Sequence, residues 1–164
     1  SATPNAPLAE AITQVIEEIR LAAPDYEIVS ELAFNRPVHC DTARIAQAVS
    51  NLLSNATNHG TPGSVIRVQG TQTEDECVIT VSNQGEAIPE DLKRDLFRPF
   101  QRGQKAKSEG LGLGLFIASS IALSHNGRID VMCQDGTTAF ALAVPLVAPG
   151  GRNDNRMIEG HRLT

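Results

Sequence analysis

Three asparagines stand close together in the segment NLLSNATNHG, at Asn51, Asn55 and Asn58. In a helix, residues three and four apart lie on one face, so these amides would form a polar stripe. Asparagine is a poor helix former and costs free energy when it is buried without hydrogen-bond partners. Its amide oxygen is also a ligand for hard cations such as Mg²⁺. The pattern leaves two interpretations open: a solvent-exposed face, or a face that contacts a ligand and its metal ion.

A second candidate is the segment SEGLGLGLFIASSI, in which Gly110, Gly112 and Gly114 alternate with leucines. We interpret it as a turn that approaches a ligand closely and then enters a helix from about Leu113. The N–H groups at such a helix start, together with the helix dipole, can hold phosphate oxygens. Neither the GxGxxG pattern nor the GxxxxGKS/T pattern of phosphate binding occurs here.

Basic residues precede this turn in a chain whose formal net charge is −5. With Asp95 as the one acid among them, they indicate either the capture of a small anion or an ordinary solvated loop and helix face. Charge alone favours the solvated face, and the neighbouring glycines favour the anion. The basic residues are Lys93, Arg94, Arg98, Arg102, Lys105 and Lys107.

Asn83 ends a predicted strand in the segment VSNQGEAIP, and Gly85 permits a tight turn after it. A strand-end amide offers both a donor and an acceptor to the edge of a base. An Asn-Gln-Gly turn without any ligand explains the same residues. Asn83 is thus a candidate base contact that depends on the other motifs for support.

The composition limits the class of protein. The chain has 164 residues, of which 41% are hydrophobic, as expected for one domain with an ordinary core. Neither an apolar run near the roughly 20 residues of a membrane span nor a signal peptide is visible. The three cysteines are scattered, which disfavours a zinc site or a disulfide framework and favours a reducing compartment. The acidic balance disfavours nucleic acid as the main partner.

Four helices are predicted from apolar residues at helical spacing and from start and stop residues. Asp41 caps the second helix, and Gly60 ends it. His125 lies at the end of the last helix, where a positive charge is favourable. The predicted ranges are 8–22, 42–59, 89–96 and about 113–125.

Strands are predicted from alternating apolar residues in YEIVSELAF, SVIRVQGTQ, ECVITVSN, RIDVMCQ and TTAFALAVPL. The order of elements predicts an α+β fold, a two-layer α/β sandwich with a mixed, mainly antiparallel sheet and helices on one face. We expect one domain over residues 1–147. The pattern is lost over residues 148–164, for which we expect a disordered tail or a cloning remnant.

Five segments occur in the order of the motifs of a known family. NLLSNATNHG resembles its N box, NQGEAIP its G1 box, LFRPFQRG its F box, EGLGLGL its G2 box and GTTAF its closing segment. Over roughly residues 8–147 the chain resembles the ATP-binding catalytic domain of sensor histidine kinases. That domain has a Bergerat-type fold and belongs to the superfamily of gyrase, Hsp90 and MutL. The asparagine in the G1 box is similar to that of phytochrome-like kinases.

The resemblance implies a site for ATP and Mg²⁺. Asn55 matches the asparagine that holds Mg²⁺ against the phosphates, and Asn51 matches the polar position one turn earlier. Asn58 stands where a phosphate-contacting lysine is common. Asn83 stands where most members have an aspartate that accepts from the adenine amino group. The other residues implied to bind the nucleotide from the G1 box and the closing segment are Gly85, Ala87 (in place of a second glycine), Ile88 and Thr138.

The F and G2 boxes imply a lid over the triphosphate. Arg102 matches the arginine that reaches the γ-phosphate, and with Asn51 it is the implied catalytic residue. Phe97 and Phe100 would anchor the lid on the core. The glycines would let the end of the lid bend towards the triphosphate, while the leucines pin it. The remaining lid residues implied to contact ATP are Lys105, Lys107, Gly110, Leu111, Gly112, Leu113 and Gly114.

The implied activity is transfer of the γ-phosphoryl group of ATP to a histidine on a separate dimerisation hairpin of the same kinase. None of the four histidines stands in the family's His-acidic-x-x-x-Pro setting, so we expect the acceptor elsewhere in a longer protein. A downstream response regulator is the implied partner. We expect a cytoplasmic domain, monomeric in isolation and without nucleic-acid or membrane contact, in a parent kinase that is either soluble or membrane-anchored.

Other functions stay open at this point. A serine kinase of the anti-sigma-factor type shares the fold and lacks the hairpin, although the long F box favours a histidine kinase. A non-catalytic nucleotide-sensing module is compatible with the departures at Asn58 and Ala87. An ATPase of the gyrase class is disfavoured because it carries a water-activating glutamate where this chain has Asn51.

Overall fold

The computed structural model describes residues 6–98 and 105–146. Phe100 and Arg102, two of the predicted site residues, lie outside these ranges. The elements in chain order are α1 (Ala6–Ala22), β1 (Glu27–Leu32), α2 (Thr42–His59), β2 (Val65–Gln72), β3 (Glu76–Gln84), α3 (Glu90–Lys93), α4 (Lys105–Ser124), β4 (Arg128–Gln134) and β5 (Thr137–Pro145).

The five strands form one sheet in the order β1-β2-β3-β5-β4. Strands β1 and β2 are parallel, and the other neighbouring strands are antiparallel. Alternate residues of β3 are buried, as expected for a strand with one face against a core. The predicted fold class, a mixed and mainly antiparallel sheet with helices packed against it, is confirmed.

Helix α2 is fixed on three sides, because it contacts α1, α4 and β3. Ile45, Val49, Leu52 and Leu53 on this helix are completely buried. Burying each such side chain contributes about 1.5–3 kcal/mol, which outweighs the poor helix propensity of the asparagines between them. The polar side chains of α2 are therefore held in set directions.

Helix α4 begins earlier than the sequence predicts. It runs from Lys105 rather than from about Leu113, so Gly110 and Gly112 lie inside the helix. Glycine costs about 1 kcal/mol relative to alanine in a helix interior, which weakens a helix without ending it. The packing of α4 against α2 supports the helix. The prediction of a glycine turn before the helix is wrong.

Helix α3 is shorter than the predicted helix over residues 89–96. It spans Glu90–Lys93 and buries none of its side chains. A helix that short is marginal without tertiary packing, so the chain continues instead as turns. No helix within the described ranges combines the length and apolar character needed to cross a bilayer.

The end of α4 lies against the start of α2. The backbone N–H of Asp41 donates to His125 Nε2 at 3.0 Å, and His125 Nδ1 lies 2.9 Å from the Ile121 carbonyl oxygen. The imidazole thus joins the end of α4 to the start of α2. The predicted charge on His125 stays a prediction. The predicted cap is confirmed, because the Asp41 carboxylate accepts from the backbone N–H of Arg44 at 3.2 Å.

Candidate functional site

Asn55 projects from α2 into the interior. It is 4% exposed, and its Oδ1 atom is buried without a hydrogen-bond partner in the part of the chain that the structure describes. A buried acceptor left unpaired costs about 1–3 kcal/mol. Such an oxygen fits a hard cation, which coordinates amide oxygens readily. The residues present thus fit the Mg²⁺ ion that the sequence resemblance implies.

Asn51, in the N box, forms a hydrogen bond with the G2 box. Its Nδ2 atom donates to the carbonyl oxygen of Gly114 at 3.2 Å, across the contact between α2 and α4. A Cβ atom built on Gly114 would lie 4.0 Å from the Cβ of Asn51, so the two helices approach closely there. The hydrogen bond to Gly114 fixes the direction of the Asn51 amide, and a side chain as small as alanine would fit at position 114.

Asn83 lies at the end of β3 and is 5% exposed. Its Nδ2 atom donates to the carbonyl oxygen of Gln84 at 3.1 Å, which leaves the amide oxygen as the acceptor for a ligand. In the sheet it is the register partner of Thr138, which is also buried. The Thr138 hydroxyl lies 3.7 Å from Cys133 Sγ. The predicted base contact and a second residue predicted to bind the nucleotide thus lie side by side on adjacent strands.

Two glycines lie where the end of α2 approaches the end of β3. A Cβ atom on Gly60 would lie 2.6 Å from the Ala56 carbonyl oxygen and 3.4 Å from Asn83 Nδ2. A Cβ atom on Gly85 would lie 3.1 Å from the His59 carbonyl oxygen. At Gly60 the clash would be with α2 itself, and the contact with Asn83 would be an ordinary one, whereas a side chain at Gly85 would have to displace the His59 carbonyl by a few tenths of an ångström. The lack of a side chain at Gly85 therefore helps the N box and the G1 box to lie adjacent.

A cleft of about 420 Å³ lies where these segments meet. Ligand sites for small molecules are typically of this size. Three of the predicted site residues, Gly85, Ala87 and Ile88, line it. His59 lines it as well, and desolvation by partial burial lowers the pKa of its imidazole although much of the ring is exposed. Sequence reasoning missed the other lining residues, which are Gly60, Thr61, Pro62, Glu86, Pro89 and Leu92.

The missed residues follow the N box or flank the G1 box along the chain. Proximity to two motifs that converge in space is the signal that could have found them. Asn58 is exposed and is not part of the cleft lining.

The segment before the predicted lid is anchored on the core. The Phe97 ring packs edge-to-face on Phe140, with centroids 6.1 Å apart and an interplanar angle of 89°. Lys105, Lys107, Gly110, Leu111 and Gly112 lie in the first half of α4. Leu113, expected to pin the lid, is 57% exposed instead. Within the described residues, histidine, cysteine and acidic side chains form no group of three that could hold a metal.

The sequence family described as histidine kinase-, DNA gyrase B- and HSP90-like ATPase matches residues 40–148. The chain belongs to this family. The bacteriophytochrome of Pseudomonas aeruginosa is 37% identical over 144 residues, which cover 85% of this chain and 20% of that protein. The probable sensor histidine kinase TcrY of Mycobacterium tuberculosis is 35% identical over 136 residues, which cover 80% of this chain and 28% of that protein.

Solved structures of the family share the fold. The catalytic domain of the histidine kinase ThkA superposes with a TM-score of 0.71 at 28% identity, covering 87% of this chain and 91% of that one. The chain spans under a third of the length of the two curated relatives above. It is thus an ATPase-type catalytic domain of the kind found in sensor histidine kinases.

Proposed function

We propose that this domain binds Mg²⁺–ATP and transfers the γ-phosphoryl group to a histidine on a separate dimerisation hairpin of its kinase. The observation that carries the proposal is the buried Oδ1 atom of Asn55, which has no hydrogen-bond partner among the described residues. Asn55 lies one turn before His59 on the same face of α2, and His59 lines the cleft. A buried acceptor oxygen one helical turn from a residue of the cleft is suited to a cation that arrives with the nucleotide.

The Asn55 oxygen would hold Mg²⁺. The ion, when bound, would neutralise charge on the phosphates, and Mg²⁺ commonly combines one or two protein ligands with phosphate oxygens and water. This preference suits a site in which one protein amide is the ligand. Asn58, Arg102, Lys105 and Lys107 are proposed to contact the phosphates, as the family resemblance implies.

The base would lie in the cleft beside Asn83. The Asn83 nitrogen is already bonded to the Gln84 carbonyl, so the oxygen is free to accept from the adenine amino group. Ala87 and Ile88 supply apolar surface to the cleft, and Ile88 is held against the core. A flat base buried against apolar side chains with one directional polar contact is the usual arrangement of a nucleotide site.

The acceptor is proposed to come from outside this chain. Asn51 has no carboxylate with which to take a proton from water, and its amide nitrogen is bonded to Gly114. Phosphoryl transfer depends mainly on positioning and charge stabilisation, so a histidine presented by another domain can complete the site. ThkA has been solved in complex with the response regulator TrrA. By analogy we propose a response regulator as the downstream partner and a cytoplasmic location for the domain.

Thermal unfolding of the protein with ATP tests the binding step. Mg²⁺ and ATP together should raise the melting temperature, since a ligand that binds the folded state stabilises it in proportion to the logarithm of its concentration. ATP with a chelator should raise it less, and GTP with Mg²⁺ should raise it least. A melting temperature indifferent to saturating Mg²⁺–ATP would overturn the proposal.

A further inference from the structure

We propose that Tyr26 is a positioning residue for base recognition. It acts on Asn83 through the Gly60–Thr61 peptide and the Gln84 carbonyl oxygen. The proposal rests on the nucleotide site described above. Tyr26 lies between α1 and β1, and its ring packs against the core. Its hydroxyl donates to the Gly60 carbonyl oxygen at 2.8 Å. Gly60 lines the cleft and ends α2.

The peptide bond between Gly60 and Thr61 is held at both of its polar groups. Its carbonyl oxygen accepts from the Tyr26 hydroxyl, and its N–H, which belongs to Thr61, donates to the Gln84 carbonyl oxygen at 2.8 Å. A peptide is planar, so two such bonds fix its orientation. Tyr26 therefore sets the direction in which the Thr61 N–H donates to the Gln84 carbonyl oxygen.

The same Gln84 oxygen accepts from Asn83 Nδ2 at 3.1 Å. An asparagine amide can turn by half a rotation and exchange its donor for its acceptor. The bond to Gln84 selects the orientation in which the nitrogen is engaged and the oxygen is left for a ligand. Adenine presents an amino donor at C6, whereas guanine presents an acceptor oxygen there. A fixed amide oxygen therefore favours adenine, and a freely turning amide would accept either base.

Tyr26→Phe keeps the ring and removes the hydroxyl. The Gly60–Thr61 peptide then loses one of its two fixed bonds, and the Asn83 amide gains freedom to turn. We expect the affinity for Mg²⁺–ATP, measured by calorimetry, to fall by about fivefold, the size of one net hydrogen bond. We expect the ratio of ATP to GTP affinity to fall as well. A purely structural role for Tyr26 would leave that ratio unchanged.

Ser124→Ala is the matched control. The Ser124 hydroxyl also donates to a backbone carbonyl, that of Ile121 at 2.7 Å, at the end of α4 near the start of α2. Gly60 lies at the other end of α2. This variant should lower the melting temperature by an amount similar to Tyr26→Phe while both nucleotide affinities stay at the wild-type value.

The Asn83→Asp background tests whether Tyr26 acts through the amide. A carboxylate has two equivalent oxygens and cannot exchange a donor for an acceptor, so Tyr26→Phe should leave the ATP to GTP ratio unchanged there. In the protein without nucleotide, Tyr26→Phe should speed hydrogen exchange of the Thr61 amide. The proposal is overturned if this exchange is unaltered, or if the ratio is the same with and without the hydroxyl. Failure of the wild-type protein to bind ATP would overturn the proposed function instead, and the exchange measurement would still test the Tyr26 contact.

Discussion

The Asn55 side chain is 4% exposed, and its oxygen lacks a partner within the described ranges. An unpaired buried acceptor destabilises the folded protein, so Asn55 lowers the stability of the domain without ligand. The same oxygen is available to a cation because no donor among residues 6–98 and 105–146 contacts it. A residue with these two properties is expected at a binding site and is unexpected in a core that serves stability alone.

Asn55→Ala should abolish Mg²⁺-dependent ATP binding while the free energy of unfolding stays within about 1 kcal/mol of the wild type. The lost packing is offset by removal of the unpaired oxygen. Calorimetric titration and thermal melts measure the two quantities.

Gln47→Ala is the matched control, since it removes an exposed amide from the same helix. It should leave nucleotide affinity unchanged. Wild-type affinity in Asn55→Ala would contradict the metal role.

Asn83→Asp should preserve adenine binding, because an acceptor oxygen survives at the same position. Asn83→Leu should weaken it by about tenfold or more, because the adenine amino group would be buried without a partner. The measurement is the affinity for ATP and for GTP in each variant. An equal loss of ATP binding in both variants would show that the base lies elsewhere.

The sequence indicated which side chains are candidates for the site, but it did not indicate where those side chains point. Asn51 was expected as a polar residue one turn before the metal ligand, and the sequence did not indicate that its amide nitrogen is bonded to Gly114, 63 residues further along the chain. Tyr26 carries no local signal at all, since its hydroxyl bond spans 34 residues. Contacts between residues so distant in sequence are set by tertiary packing, which periodicity and capping rules do not encode.

Among the elements, α4 has two halves of different composition. Its first half contains the glycines, whereas its second half buries Leu115, Ala118 and Ile121. We expect backbone amides of residues 105–112 to exchange hydrogen faster than those of residues 115–124 in the protein without nucleotide, because glycine weakens a helix and packing protects it. An ATP analogue should slow exchange in the first half. Equal exchange in both halves, unaltered by nucleotide, would contradict a lid at this end of α4.

The turn from α4 to β4 depends on a glycine. A Cβ atom on Gly127 would lie 2.0 Å from the Ala143 carbonyl oxygen, and that oxygen belongs to the backbone of β5. Gly127→Ala should therefore lower the free energy of unfolding by about 2–3 kcal/mol, as overpacking does. Denaturant unfolding of the variant and of the wild type measures this difference in free energy.

Gly63→Ala serves for comparison. Gly63 has a φ of +85° but nothing within 4 Å of an added Cβ atom. Alanine there should cost about 1 kcal/mol through backbone strain alone. Equal losses in the two glycine variants would show that Gly127 does not approach β5 so closely.

The sequence predicted most elements within a few residues, because their signals are local. The cap at Asp41 and the end at Gly60 bound α2 as expected. The start of α4 was missed because a run of glycines was taken to exclude a helix, whereas neighbouring packing supports one. The contact of His125 with the start of α2 was missed because its partner, the Asp41 N–H, lies 84 residues away.

In the whole molecule, the proposed metal ligand lies on α2 and the proposed base contact lies at the end of β3. We propose that the domain presents a nucleotide to a histidine supplied by another domain. Transition-state stabilisation would come from positioned charge, so Arg102→Ala should slow transfer more than it weakens ATP binding. Loss of affinity without loss of rate at saturating ATP would contradict that role for Arg102.

The proposed phosphoryl transfer to a histidine on a separate hairpin is tested by following radiolabel from ATP. The purified domain is mixed with Mg²⁺, ATP labelled at the γ-phosphate and the histidine hairpin of the parent kinase as a separate chain, while free phosphate is followed alongside. We expect acid-labile label on the hairpin histidine, little free phosphate and no label on the domain itself. Rapid phosphate release without the hairpin, or acid-stable label on the domain, would contradict it and favour an ATPase or a serine kinase.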